Sequence, residues 1–134
     1  MRKATPVGLL AILLLGVSTA NALTVGDYLK NKEGETTHAY VRGMGNAFEW
    51  ANAELEVRHH PLLFCRPGNL GLSTYNYLQI LDQTIEDMTK DIKENSPGEQ
   101  REYLKWLHKA AVDYFLLQGL VRAFPCPPTQ NPRL

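Results

Sequence analysis

A small all-α bundle clasped by one disulfide is the architecture that these 134 residues point to. Three observations carry that expectation. Apolar residues recur at steps of three and four through three long blocks, the helical period. Turn and breaker residues separate the blocks, with no credible strand pair among them. Two cysteines fall at the edges of one expected helical hairpin. Three main helices plus a short N-terminal one follow from this pattern.

Residues 1–22 read as a cleavable signal peptide. Arg2 and Lys3 supply a basic start, Val7 to Val17 an apolar run too short to span a bilayer, and Ala20-Asn21-Ala22 a cleavage signature. The expected division is a signal over 1–22, a helical domain over 23–124 and a Pro-containing tail over 125–134. The signal takes two of the 14 basic residues and none of the 14 acidic ones, leaving a mature charge of −2 with histidine neutral. A near-neutral surface of mixed sign argues against nucleic acid as a partner, and no second apolar stretch could anchor the product in a membrane. The expectation is an exported, soluble product in the periplasm.

Each helix has its own signature. Thr24 to Leu29 can form one short turn, and Lys30 to Glu35 reads as a loop. From Thr37 to Leu55, Tyr40 or Val41, Met44, Phe48, Ala51 and Leu55 form one stripe. Beside it Ala39, Gly43, Ala47 and Ala51 stand four apart, a row of small residues expected to let another helix approach closely. A break at Gly43-Met44-Gly45 is the alternative, since each glycine costs about 1 kcal/mol inside a helix. Ser73 is the expected N-cap of the next helix, whose stripe is Leu78, Leu81, Ile85, Met88 and Ile92. Ser96-Pro97-Gly98-Glu99 matches a capping box and predicts one long helix to Ala123, with a stripe of Tyr103, Leu107, Ala110, Tyr114, Leu117 and Val121. Leu104, Ala111 and Phe115 widen the stripe, so burial on two sides is expected. Pro125, Pro127 and Pro128 end it.

With only two cysteines, an oxidising compartment leaves one pairing, Cys65 with Cys126. Asn95 alone separates the two longest blocks, so they should fold back as an antiparallel hairpin. Cys65 precedes the first of them and Cys126 follows the second. The bond would staple the hairpin's open end, contributing about 4 kcal/mol at the upper end of the chain-entropy model.

Few residues suggest chemistry. His59-His60 lacks a third ligand at metal spacing, and His38 and His108 sit on polar helix faces. Glu49, Glu54, Asp82, Glu86 and Asp87 read as charges on outer faces rather than an acid/base pair. No nucleophile elbow, P-loop or zinc-protease motif occurs. A non-enzymatic protein without cofactor or metal is therefore expected. Trp50, opposite Phe48 on the helical wheel, is the candidate partner-binding residue. Enclosure of its helix by two neighbours, the preferred reading, would bury it instead, and Trp106 beside Tyr103 carries the same ambiguity.

The order of "YVRGMGNAFEWANAEL", "LFCRPGNLGLSTYNYLQIL" and "LVRAFPC" after a signal resembles the Rap/Tai family of periplasmic immunity proteins associated with type VI secretion. The matching positions are Tyr40 with Gly43, Phe64-Cys65-Arg66-Pro67, and Phe124-Pro125-Cys126. Many members carry further cysteines where this chain has Thr37-His38-Ala39. The resemblance implies a helical domain, often a homodimer, that binds a secreted cell-wall amidase and blocks its active site without a cofactor. An acid-stress chaperone of the HdeA kind, or another periplasmic binding protein, is the alternative.

Overall fold

The computed structural model describes residues 21–128. Of the signal peptide read in 1–22, only Asn21 and Ala22 fall within it, both exposed and non-helical. The rest of that segment, and the tail beyond Pro128, lie outside the described residues. Five helices make up the described chain: α1 (Val25–Lys30), α2 (Glu35–Val57), α3 (Thr74–Asn95), α4 (Gln100–Lys109) and α5 (Val112–Ala123). None of them is long and apolar enough to cross a membrane.

The Thr24 hydroxyl oxygen accepts the Asp27 N–H, and the expected short turn forms as α1. Val25 and Tyr28 are buried completely, against α4 and α3. α2 runs unbroken through Gly43-Met44-Gly45. It ends in a Schellman motif, with His59 N–H donating to the Glu56 carbonyl and His60 N–H to the Leu55 carbonyl. This places His59 in the left-handed region at φ 56°.

The small-residue row of α2 does not seat a helix. Ala39, Gly43, Ala47 and Ala51 all face solvent, and a Cβ on Gly43 would meet nothing within 4 Å. The close approach lies at Gly45 instead, where a Cβ would stand 2.5 Å from the Tyr77 ring. The reason is area. Turning Val41, Met44 and Phe48 inward removes far more apolar surface from water than turning alanines inward, and among the described residues no second helix covers the far side.

Ser73 caps α3 in a box completed by Asn76: the hydroxyl oxygen accepts Asn76 N–H, and Asn76 Oδ1 accepts Ser73 N–H at 2.9 Å. The box expected at Ser96 does not form. Ser96 N–H still donates to the Ile92 carbonyl, so this residue closes α3 rather than opening α4. α4 begins at Gln100 without a side-chain cap.

The single long helix expected after Pro97 is two helices. At Ala110-Ala111 the backbone is extended and pairs with the start of the domain. Val25 N–H donates to the Ala110 carbonyl and Val112 N–H to the Leu23 carbonyl, both at 2.9 Å, bracketing an isolated antiparallel bridge between Thr24 and Ala111. The break resets the helical phase. The buried face of α5 is Val112, Phe115, Leu116, Gly119 and Leu120, while Tyr114 and Val121 of the expected stripe are exposed.

The hairpin itself stands. α5 runs back along α3, with Gly119 seated on Ile80 and Thr84. Cys65 and Cys126 form the disulfide across its open end, Cα to Cα 4.7 Å, and Cys65 N–H donates to the Phe124 carbonyl at 2.8 Å. Phe64, Tyr77, Leu81, Phe115, Leu116 and Leu120 fill the centre of the bundle.

Candidate functional site

Trp50 stands on the solvent side of α2 and is 77 % exposed. The expected enclosure by a second neighbour does not occur, because α3 and α5 both approach α2 from its other side. Next to Trp50 in sequence, Glu49 turns toward the loop between α2 and α3. Arg66 in that loop grips it side-on, Nε to Oε1 at 3.0 Å and Nη2 to Oε2 at 3.1 Å. Both side chains are about a quarter exposed, 24 % for Arg66 and 25 % for Glu49. Such a two-pronged, partly desolvated pair is geometrically specific in a way that a surface ion pair is not.

The loop that carries Arg66 is held from three directions. On α2, the Asn52 amide behaves like a short length of strand. Its Nδ2 donates to the Phe64 carbonyl at 2.7 Å and its Oδ1 accepts Leu63 N–H at 2.8 Å. The disulfide and the Cys65 N–H bond to Phe124 tie the same stretch to the end of α5. Glu49 holds Arg66 itself. A segment without regular structure is thereby fixed against two helices. Trp50, Asn46, Glu49, Ala53 and Arg66 border one shallow hollow on this corner.

A second polar cluster joins α1 to α3. Asp82 Oδ1 accepts from the Tyr28 hydroxyl at 2.8 Å and from Lys32 Nζ at 2.5 Å. Burial, followed by the Asp82 hydrogen bond and the charges of Asp82 and Glu33, pushes the Tyr28 phenol far above its ordinary range. Tyr40 is raised in the same way, by burial and then by its 2.8 Å bond to Asp113. Burial and then the Glu49 charge raise Tyr77, opposed by Arg66. These neutral phenols fasten helices together, and nothing about them is poised for proton transfer near neutrality.

The remaining candidates separate. His59 and His60 occupy the exposed end of α2, and no group of three or more metal-ligating side chains occurs among the described residues. Trp106 is 53 % exposed and meets buried Phe115 edge-on with ring centroids 6.3 Å apart. Glu49 and Asp82, read from sequence as outer-face charges, are partly buried anchors. Asn52 went unread although it lies on the apolar side between Phe48 and Leu55. A lone amide there signals a backbone that needs a partner. Scans against family models, curated proteins and solved structures return no match.

Proposed function

We propose that this chain is an exported, non-enzymatic binding protein of the immunity type, which engages a secreted cell-wall amidase in the periplasm and inhibits it. The observation that carries the reading is Trp50, left 77 % exposed beside a loop held by two helices and a disulfide. An aromatic anchor next to an arginine on a rigid frame is the composition of a binding hot spot. Rigidity matters because ordering a loop on binding subtracts from affinity, and here the fold has already done so. The disulfide fits an oxidising compartment, and the "F-C-R-P" and "F-P-C" segments that suggest the family are those it joins.

Co-expression tests the reading. Cells exporting an amidase effector encoded beside this gene should survive when the chain is present, and the two purified proteins should co-elute. Lysis together with separate elution would remove it. An acid-stress chaperone would instead bind ANS and suppress client aggregation in acid. That activity without amidase protection would replace the present reading.

A further inference from the structure

We infer that the fold carries a seat for its own processed N-terminus: the ammonium group that cleavage after Ala22 leaves on Leu23 is held by the Tyr40 hydroxyl and the Asp113 carboxylate. The inference rests on the exported reading, which supplies the cleavage. Hydrolysis adds water across the Ala22–Leu23 bond, leaving a carboxylate on Ala22 and an amine on Leu23. That amine takes a proton at neutral pH.

The bridge between Thr24 and Ala111 sets the register of the two stretches. One residue back along the first and one forward along the second, the Leu23 carbonyl accepts Val112 N–H at 2.9 Å. Antiparallel pairing then runs the chain before Leu23 towards Asp113. Asp113 Oδ1 accepts the Tyr40 hydroxyl at 2.8 Å. The Leu23 N–H is directed at the oxygen of that same hydroxyl, a contact that offsets part of the rise in the Tyr40 phenol. The Leu23 nitrogen thus lies within two hydrogen-bond lengths of a carboxylate, on the order of 6 Å. Leu23, Tyr40 and Asp113 are all half-buried, so water screens an ammonium there less than it screens an exposed ion pair. In the unprocessed chain the same nitrogen brings one hydrogen and no charge.

The edge of the packed domain falls at the same bond. Leu23 packs against the core, whereas Asn21 and Ala22 are exposed. Cleavage one residue later would remove the Leu23 side chain and the carbonyl that Val112 uses. Cleavage one residue earlier would carry the charge about 3.5 Å further off. Only cleavage after Ala22 brings an ammonium to the seat.

The periplasmic product of the full chain is purified oxidised, and its first residue is read by mass spectrometry. Trace acetylation as a function of pH, quantified on the N-terminal peptide, titrates the α-amine, with the same product in urea as reference. The product should begin at Leu23, and its amine should titrate about one pH unit above the reference, a tenfold gain in proton affinity. Asp113→Asn, with an unchanged circular dichroism spectrum, should return the midpoint to the reference. If that variant does not fold, the comparison with urea on the natural sequence decides. A different first residue, a midpoint equal to that in urea, or an unmoved midpoint in folded Asp113→Asn overturns the inference. An uncleaved product removes the exported reading and the seat together. A Leu23 start with an ordinary amine removes the seat alone, and failed protection against an amidase with a raised amine leaves it standing.

Discussion

Gly43 and Gly45 lie two residues apart in one unbroken helix, and alanine should have opposite effects at them. In a helix interior, replacing glycine by alanine gains about 1 kcal/mol from lost backbone freedom in the unfolded chain and better propensity. At Gly43 nothing opposes that gain, since a new Cβ meets no atom within 4 Å. At Gly45 three atoms of the Tyr77 ring would lie 2.5–2.6 Å away, about 1 Å inside ordinary carbon contact. Tyr77 is only 2 % exposed and has nowhere to turn. α2 must lift off α3, and overpacking of this kind costs about 1–3 kcal/mol. The propensity gain is common to both variants, so their difference isolates the clash. Gly45→Ala should be less stable than Gly43→Ala by about 1–3 kcal/mol, or roughly 4–12 °C in midpoint for a domain of this size. Urea and thermal unfolding followed by circular dichroism at 222 nm measures it, with unchanged m-values as the condition for comparison. In a Tyr77→Leu background the penalty at Gly45 should largely vanish. Agreement of the two single variants within about 0.5 kcal/mol would refute the contact.

Three further expectations follow from the same geometry. The Cys65→Ser/Cys126→Ser double variant should lose up to about 4 kcal/mol, and reducing the natural protein should give the same melting curve; an unchanged midpoint would count against the bond as a stabiliser. Stability should fall with rising pH above about 10, because the unfolded chain ionises there while the raised Tyr28 phenol keeps its proton. The group contributes fully below that pH and loses about 1.4 kcal/mol per pH unit above it. Tyr28→Phe should flatten the alkaline slope by that one proton, with Tyr40, Tyr77 and Tyr103 also raised and still contributing, and cost about 1 kcal/mol near neutrality; an unaltered slope would be inconsistent with the assignment. Finally, His59→Gly should stabilise the end of α2 by about 1 kcal/mol, since φ 56° disfavours any side chain, and a lower urea midpoint would contradict this.

The fold class, the hairpin and the disulfide were legible because they depend on local periodicity and on a cysteine count with a single solution. The break at Ala110-Ala111 was not. Alanine is the strongest helix former, and the cause lies in Leu23–Val25 at the far end of the chain, whose backbone takes the extended segment as its partner. Without that break the expected stripe takes in Tyr114 and Val121, which are exposed, along with Phe115, which is buried. On α2 the four-residue spacing was visible in both the small row and the large stripe, and only the packed neighbours decide which one turns inward. The site was legible in part: Trp50 stands out as a large aromatic on a polar side. Its partners Glu49 and Arg66 are separated by the whole loop, and nothing in the local pattern of either predicts the other.

The meeting of Leu23–Val25 with Ala110–Val112 has a consequence for how the molecule is made. A growing chain cannot finish its core from the front, since the turn at Val25 waits for Ala110 and Val112. The bridge at one end of α5 and the sulfur link at the other both join distant stretches. Such connectivity delays consolidation until Cys126 has emerged. Both ends of α5 must therefore be in place before the two clasps can close on the rest of the bundle.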